Sequence, residues 1–393
     1  MSRARIAVIG LGGISQAVHL PLIQRRRRDL DLAALVELSP TRLGTLGDRY
    51  GVPEEARFTG VDALTGAIRD GRLVLDAAIL ATAGSHVRDA LALVRAGVRV
   101  MVEKPLAYSH SELDLLERGL ADLGLEPSEW VRVGYMKNHD PAVAAARELL
   151  AGVRPLEVHV EVLHPADGSQ LAFAHLEPPA GDVAPERLEP LLAHQTRAID
   201  DATGTGDDTA RRLYANVVLG SIVHDLALTR HLGLGLATVH HAARRGAGFP
   251  GSVIATGLTA DDVPWNLSWH FAEHLPEYRE HVTVHHERGT IQLGFATPYI
   301  LNAPTVLTHT TGDESLRSSR TDSMWPQEEA FERELNTLVA MTQASFPEGC
   351  STAAARQDLV SAQALWWACA NTAGIAVDPH AEAAGSRQGP GPL

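Results

Sequence analysis

The sequence predicts an α/β protein with two domains: an N-terminal parallel sheet with helices, then a C-terminal α+β domain with a large open, mainly antiparallel sheet. The chain of 393 residues is long enough for two cores, since a domain usually takes about 100–200 residues. Residues 5–103 alternate β-branched runs with helical stretches, which is typical of βαβ units. Beyond residue 154, apolar side chains recur with period two, as in an antiparallel sheet with one covered face.

Four short apolar runs predict the strands of the parallel sheet, at residues 6–9, 32–36, 77–80 and 98–102. A helix over residues 111–123 follows, with Ser109 or Ser111 as its cap. A further strand is predicted over residues 130–135.

The organisation changes after the next helix, predicted over residues 143–150. Asp140 is suited to be its N-cap and Pro141 to lie in its first turn. We place the dinucleotide-binding domain at residues 1–128 and the substrate and oligomerisation domain at residues 129–380.

Period-two patterns predict three strands of the second domain, at residues 156–162, 265–271 and 291–295. The polar, Pro- and Gly-rich residues 166–208 are expected to form a long connection over the surface or over the site. Helical spacing predicts helices over residues 328–343 and 353–371. The tail, residues 381–393, is small and polar and is expected to be disordered.

Composition and charge exclude several classes of partner. A net charge of −14 argues against nucleic acid, whose binding relies on clustered Lys and Arg. No apolar run reaches the roughly 18–20 residues that span a bilayer, and the N-terminus has no signal-peptide layout. The two cysteines, Cys350 and Cys369, suit a reducing cytosol. We therefore expect a cytoplasmic protein that binds neither nucleic acid nor membrane.

The open sheet carries several tryptophans and phenylalanines, which suggests an exposed apolar face that another subunit covers. A homo-oligomer, dimer or tetramer, is therefore expected. The pairs His240-His241 and His285-His286 form no ligand set, so no metal is expected.

A glycine-rich turn follows the first predicted strand, with the sequence Gly10-Leu11-Gly12-Gly13-Ile14-Ser15. Before a helix, such a turn presents backbone N–H groups to a diphosphate. Gly10 permits the tight turn and Gly12 the close approach of the backbone, while Ser15 replaces the usual third glycine. An ordinary tight turn gives the same pattern, so the turn alone is a weak signal.

Glu37 strengthens the prediction, because it ends the second strand about 20 residues past the turn. An acid there accepts hydrogen bonds from the adenosine ribose and repels a 2′-phosphate. We therefore expect NAD, with NADP disfavoured. Thr82, His86, Glu103 and Lys104 follow the third and fourth predicted strands, and at these carboxyl ends they would line the nicotinamide.

Taken together, these motifs resemble the family of glucose-fructose oxidoreductase, inositol dehydrogenase and the rhizopine-catabolism protein (Gfo/Idh/MocA). The resemblance covers most of the chain, and Glu103-Lys104-Pro105 is its most specific step. It rests on the glycine turn with His19-Leu20-Pro21, residues 82–86, Glu103-Lys104-Pro105, residues 134–141 and His224-Asp225. It implies a Rossmann domain followed by an open antiparallel sheet, one face of which meets the cofactor.

The resemblance implies that Lys104 holds the reacting oxygen and that His224 exchanges the proton while hydride moves to or from the nicotinamide. A lysine beside a cationic ring loses part of its preference for charge, and histidine has a suitable reference pKa. Tyr135 is a further catalytic candidate, and Lys137 and Asp225 are candidates for substrate binding. For Tyr135 and Lys137, strand packing or a surface charge is an equally good interpretation.

One position departs from the family. Family dehydrogenases often carry an Asp four residues before this histidine, where this chain has Gly220. Oxidation of a sugar, cyclitol or similar hydroxyl compound therefore competes with another hypothesis, reduction of a C=N or conjugated C=C bond in a biosynthetic pathway. A cofactor-binding sensor without chemistry is the alternative from another class, and the presence of Lys104 argues against it.

Overall fold

The computed structural model describes residues 3–385 except 314, 316 and 346–348, and the chain forms two compact units. The first unit contains residues up to 134, with 171–198 and 334–355. The second contains residues 135–170, 199–333 and those from 356 onward.

The first unit is built on a six-stranded sheet in which all paired strands are parallel, in the order β3-β2-β1-β4-β5-β6. The central strands are buried on both faces, as parallel strands covered by helices are. Strands β2 and β4 lie on opposite sides of β1, so the strand order reverses at β1. Sheets of this kind bind ligands at the carboxyl ends of the strands where the order reverses. The strands are β1 (Ala4–Ile9), β2 (Leu30–Val36), β3 (Arg57–Phe58), β4 (Ala77–Leu80), β5 (Arg99–Glu103) and β6 (Val131–Gly134).

The predicted strands of this domain are confirmed, with β3 added. Strand β3 has two residues, too few for a periodic pattern. The helices of this part are α1 (Leu20–Arg25), α2 (Pro40–Tyr50), α3 (Val61–Arg69), α4 (Val87–Arg95), α5 (His110–Ala121) and α6 (Pro127–Trp130), with a π-helical turn at Ser15–His19 before α1. Ser109, not Ser111, caps α5, because its hydroxyl accepts the backbone N–H of Glu112 at 3.3 Å.

The division between the units differs from the boundary expected at residue 128. Strand β6 pairs with β5, so the parallel sheet continues to Gly134. The backbone N–H of Val133 also donates to the carbonyl oxygen of Cys350 at 2.9 Å, which ties a distant segment to this unit. Such long-range pairing leaves no local pattern in the sequence, so sequence reasoning alone does not find it.

The second unit is built on an eight-stranded sheet in the order β14-β13-β12-β11-β7-β10-β9-β8. Neighbouring strands are antiparallel except for the parallel pair β7 and β10. The predicted mainly antiparallel sheet and its three predicted strands are confirmed as β7, β10 and β12. The strands are β7 (Pro155–His164), β8 (Leu236–Arg245), β9 (Ser252–Thr259), β10 (Pro264–Phe271), β11 (Arg279–His286), β12 (Gly289–Phe295), β13 (Val306–Gly312) and β14 (Ser318–Ser323).

Helices pack against strands of this sheet. Asp140 caps α7 as predicted, since its carboxylate accepts the backbone N–H of Ala142 at 2.8 Å. A π-helix at Leu213–Ile222 precedes α11. The helices are α7 (Pro141–Leu150), α8 (Asp167–Leu171), α9 (Pro185–Thr203), α10 (Asp208–Arg212), α11 (Val223–His231), α12 (Ala330–Thr342), α13 (Thr352–Thr372) and α14 (Glu382–Gly385).

The expected long connection over residues 166–208 is wrong in one respect, because the 19-residue helix α9 lies within it. Pro190 lies inside that helix, and the frequent Pro and Gly residues upstream hid the helical pattern. The expected disorder of residues 381–393 falls mainly on 386–393, which lie outside the described residues. Residues 382–385 form α14.

The expectation of an exposed aromatic face is also wrong. Trp265 and Trp269 are 0% and 2% exposed, and Trp269 donates from its indole nitrogen to the hydroxyl of Ser221 at 2.9 Å. The opposite face of the sheet carries half-exposed polar residues such as His159 and Thr283. The aromatic residues therefore build the core of the second unit. Their burial removes the argument for an oligomer that was based on an exposed aromatic face, and the oligomer stays a prediction. None of the described helices is long and apolar enough to cross a membrane.

Candidate functional site

The glycine-rich turn after β1 has a backbone that suits a diphosphate. Gly10 has a φ of 87°, and a Cβ atom on it would lie 2.6 Å from the carbonyl oxygen of Ala81, so glycine is required. A Cβ on Gly12 would meet no described atom within 4 Å, which leaves open space in front of the turn. Ser15 is buried, and its hydroxyl donates to the carbonyl oxygen of Gly10 at 2.5 Å. Gly13 and Ile14 lead from this turn into the π-helical turn.

We predict that Gly10→Ala and Gly12→Ala, which add the same methyl group, have opposite profiles. Gly10→Ala introduces a clash with backbone at positive φ and should destabilise the fold by about 1–3 kcal/mol. Gly12→Ala should melt like the wild type but bind NAD more weakly, because its methyl group enters the open space. Thermal denaturation and calorimetric titration measure both effects. Equal melting temperatures for the two variants would contradict this account of the turn.

Glu37 lies directly after β2 and is fixed beside the glycine turn. One carboxylate oxygen accepts the backbone N–H of Leu11 at 2.9 Å, and the other accepts that of Ser39 at 3.2 Å. The guanidinium of Arg42 lies 3.7 Å from the carboxylate. Glu37 therefore stands where dinucleotide-binding sheets place the acid that binds the adenosine ribose.

His86 connects the loops that follow β4 and β5. Its Nε2 lies 2.8 Å from the carbonyl oxygen of Thr82, and its Nδ1 lies 2.8 Å from that of Pro105. The residue is 1% exposed, so the ring acts as an internal brace between two loops expected to line the nicotinamide. Its direct contact with a cofactor stays a prediction.

Glu103 is the last residue of β5, and Lys104 follows it directly in the same unit. A carboxylate oxygen of Glu103 lies 2.8 Å from Nε2 of His19. Burial opposes ionisation of Glu103, but the hydrogen bond with His19 and the positive charges of His19 and Lys104 outweigh it and lower the pKa of the carboxyl group. Lys104 is half-buried, and its positive charge is one of the causes that lower the pKa of Glu103.

The second unit contains a buried ionic cluster formed by Lys137, Asp225, Glu280 and Tyr278. The ammonium group of Lys137 lies 3.4 Å from Asp225 and also donates to Glu280, to which the Tyr278 hydroxyl donates as well. Lys137, Asp225 and Glu280 are 5%, 1% and 0% exposed. The ring of Phe295 lies 5.2 Å from the ammonium nitrogen. Lys137 and Asp225, predicted to bind substrate, thus contact each other and two acidic or phenolic partners.

The cluster holds one cation between two carboxyl groups. Burial alone would lower the pKa of Lys137, but the carboxylates of Asp225 and Glu280 outweigh it and raise the pKa. Burial and the charge of Glu280 raise the pKa of Asp225 well above its usual range. The pKa of Glu280 is lowered, because Lys137 and the hydrogen bonds from Asp225 and Tyr278 outweigh its burial. The favoured state is therefore a protonated Asp225 beside a Lys137–Glu280 ion pair.

Tyr135, the third catalytic candidate, lies elsewhere in the second unit. It is 2% exposed and hydrogen-bonds to the carboxyl group of Asp358. Arg230 binds the same carboxyl group with two nitrogens, at 2.7 and 2.9 Å. Tyr135 is thus part of a buried structural contact, and its catalytic role stays a prediction.

His224 is the second residue of α11 and is half-buried. Gly220 lies in the preceding π-helix, where a Cβ would come 3.4 Å from the carbonyl oxygen of Ala215. The spacing of four residues therefore does not place residue 220 relative to His224 as an uninterrupted α-helix would. π-Helical turns are frequent at functional sites.

Sequence reasoning missed Glu280 and Tyr278. Glu280 shares the buried face of β11 with Val282 and Val284, so alternation along this strand would have placed a carboxylate in the core. A second signal is composition, since the chain has two lysines, Lys104 and Lys137, among its 34 Lys and Arg residues. Because arginine supplies the other positively charged side chains, the two lysines indicate positions where an amine has a specific role.

The parallel sheet with its glycine turn is that of a Rossmann domain that binds a dinucleotide. Residues 4–124 match the family model described as "Oxidoreductase family, NAD-binding Rossmann fold". The first domain is therefore similar to this oxidoreductase family, which agrees with the resemblance to the Gfo/Idh/MocA proteins.

Individual relatives support the same fold. The putative UDP-kanosamine synthase oxidoreductase subunit of Amycolatopsis mediterranei (strain S699) is 32% identical over 113 residues, which are 28% of this chain and 29% of that protein. The match thus spans less than a third of this curated relative.

Two solved structures resemble nearly the whole chain. UDP-N-acetylglucosamine 3-dehydrogenase from Acidithiobacillus ferrooxidans has a TM-score of 0.65 at 20% identity, covering 94% of this chain and 98% of that one. Aldose-aldose oxidoreductase from Caulobacter crescentus has a TM-score of 0.66 at 17% identity, with the same coverage of 94% and 98%. At these identities the likeness establishes the fold.

Proposed function

We propose that the protein is an NAD-dependent oxidoreductase that transfers hydride between the nicotinamide and a carbon of a sugar, cyclitol or related polyhydroxylated small molecule. The observation that carries the proposal is the Glu103-Lys104-Pro105 step at the end of β5, where Lys104 accompanies an ionised carboxylate. Its occurrence in the same unit as the glycine turn supports it. The names of the structural neighbours, a UDP-sugar dehydrogenase and an aldose oxidoreductase, agree with this substrate class.

The first domain would hold the coenzyme. The backbone N–H groups of the turn formed by Gly10, Gly12, Gly13, Ile14 and Ser15 would bind the diphosphate, with the dipole of the following helical turn aiding them. Glu37 would bind the adenosine ribose and disfavour a 2′-phosphate, which favours NAD over NADP. Thr82, His86, Glu103 and Lys104 would line the nicotinamide, which supplies or accepts the hydride.

Lys104 and His224 would handle the proton. In oxidation of a hydroxyl group, the carbon loses hydride, the oxygen loses its proton to His224, and a carbonyl forms whose oxygen Lys104 hydrogen-bonds. In reduction the same groups return the proton as hydride reaches the carbon. Tyr135 would assist these catalytic groups, and Lys137 and Asp225 would shape the substrate side.

A second candidate is reduction of a C=N or conjugated C=C bond. Gly220 favours it, because the carboxylate that would make His224 more basic is missing at that position. Lys104 remains able to donate a proton in that reaction.

We further propose that the protein works in the cytoplasm as a homo-oligomer, a dimer or a tetramer. The half-exposed polar face of the eight-stranded sheet offers a surface for pairing two copies. Light scattering that found only monomer at micromolar concentration would contradict the oligomer.

The pH profile of turnover tests the proposed reaction. Purified protein is first titrated with NADH by fluorescence, then supplied with NAD⁺ and a panel of UDP-sugars, aldoses and inositols. We expect NADH to form and its rate of formation to rise with pH, because hydroxyl oxidation needs a deprotonated base. His224→Asn should flatten this rise.

The other outcomes separate the alternatives. Turnover found only with imines or conjugated alkenes, at a rate that does not rise with pH, would favour the second candidate. NADH binding without turnover of any compound would favour a sensor. Absence of NADH and NAD⁺ binding would overturn the proposed function.

A further inference from the structure

Residues 171–198, here called the strap, pack in the first unit along the carboxyl ends of the parallel strands. Leu171 and Leu176 lie 3.4 and 3.7 Å from the position that a Cβ on Gly13 would take. The backbone N–H of Glu177 donates to the side-chain oxygen of Gln16 at 2.7 Å. The strap therefore begins beside the glycine turn after β1.

The later part of the strap reaches the other strand ends. Arg187 donates to the carbonyl oxygen of Thr59, directly after β3. The amide of Gln195 donates to the hydroxyl of Tyr108 at 3.2 Å, in the loop after β5. The strap thus passes the loops after β1, β3 and β5, at the edge where a Rossmann sheet binds its dinucleotide.

Between these points, Asp182 binds the start of α2. Its carboxylate accepts the backbone N–H of Thr41 at 2.9 Å and a hydrogen bond from the Ser39 side chain. These hydrogen bonds lower the pKa of Asp182 to about 2, so the carboxylate is ionised at neutral pH. Ser39 also contacts Glu37 through its backbone N–H. Two carboxylates from distant parts of the chain therefore bind the same short loop.

This loop is where a 2′-phosphate on the adenosine ribose would need its partners. Ribose hydroxyls are bound by the acid after the second strand, and a nearby arginine or helix N-terminus accommodates the extra phosphate of NADP. Asp182 already uses the donors at Ser39 and Thr41, and Glu37 attracts the guanidinium of Arg42 at 3.7 Å. An arriving phosphate would find the donors of Ser39 and Thr41 engaged and two negative charges beside it.

We propose that Asp182 is a second coenzyme-specificity residue, which fills the 2′-phosphate position with an anion of the chain itself and thereby excludes NADP. This inference rests on the proposed function, since it concerns the same coenzyme site. Glu37 contributes the acid of the ribose-binding strand, and the strap adds the second. The strap is thus part of the coenzyme site.

Calorimetric titration with NAD⁺ and NADP⁺ tests the assignment on the full chain. Asp182→Asn removes the charge but keeps an oxygen that accepts the N–H of Thr41. The matched control is Glu189→Gln, because Glu189 is an exposed acid of the same strap. We expect Asp182→Asn to strengthen NADP⁺ binding by about tenfold or more, because the change removes a like charge from beside the 2′-phosphate. NAD⁺ affinity should change less than about twofold, and the control should match the wild type.

Different results would overturn the role of Asp182 alone or the proposed function on which it rests. If the wild type binds NAD⁺ but Asp182→Asn leaves the ratio of the two affinities unchanged, Asp182 has no part in specificity. An equal change for both coenzymes, or the same gain in Glu189→Gln, would overturn the assignment as well. If the wild type binds neither coenzyme, the proposed function is overturned, and the role of Asp182 with it.

Discussion

Replacing Lys104 by methionine is expected to lower turnover by about 10²–10⁴-fold, the range that general acid–base groups contribute. Methionine has a similar length but can neither hydrogen-bond the reacting oxygen nor deliver a proton. NAD affinity should fall much less, because the glycine turn and Glu37 would hold the other end of the coenzyme. Steady-state kinetics and NADH fluorescence measure the two effects separately. Full turnover by Lys104→Met would refute the catalytic assignment.

The scarcity of lysine provides an independent check. Apart from the N-terminal amine, the chain offers two primary amines, and Lys137 is 5% exposed whereas Lys104 is half-buried. Reductive methylation followed by mass spectrometry should therefore modify Lys104 first. NAD should protect it if the nicotinamide lies against it. Lys104→Arg is the matched variant, since a guanidinium keeps the positive charge but does not give up its proton.

The parallel sheet was predictable because its central strands are continuous apolar runs and its turns carry glycine where geometry requires it. Gly10 is the clearest example, since neither a Cβ nor another φ fits there. Glu37 was predictable for a similar reason, because spacing along a βαβ unit fixes which strand end it occupies. The strands, the glycine turn and the position of Glu37 could therefore be predicted, because each depends on residues close together in the sequence.

The remaining features depend on contacts between residues far apart in the chain. Glu280 lies 143 positions from Lys137, and no local pattern states that a carboxylate on β11 meets that lysine. The sequence predicts a connection where the strap lies, because the contacts of the strap with Gln16, Thr41 and Tyr108 leave no local pattern. Alternation along a strand shows which residues share a face, not which face is covered, and it therefore does not predict the burial of Trp265 and Trp269.

Lys137→Met is expected to destabilise the second unit by about 3–5 kcal/mol, the usual cost of removing one partner from a buried ion pair. The change would leave Asp225 and Glu280, 1% and 0% exposed, without their cation. Urea denaturation of the full chain measures the loss. Glu280→Gln should cost less, because Lys137 keeps Asp225 as a partner at 3.4 Å. The double variant should be less damaged than the sum of the single ones.

The pH dependence follows from the direction of the shifts. Lys137 has a raised pKa when folded, so its contribution is complete below the ordinary lysine pKa and is lost as pH rises through the folded value. Asp225 also has a raised folded pKa, so it favours folding at low pH and opposes it as pH rises. Without the cation, both acids would need protons to stay buried. The deficit of Lys137→Met against the wild type should therefore grow from about pH 5 to pH 8, and a deficit that shrinks over this range would show that Lys137 does not neutralise the cluster.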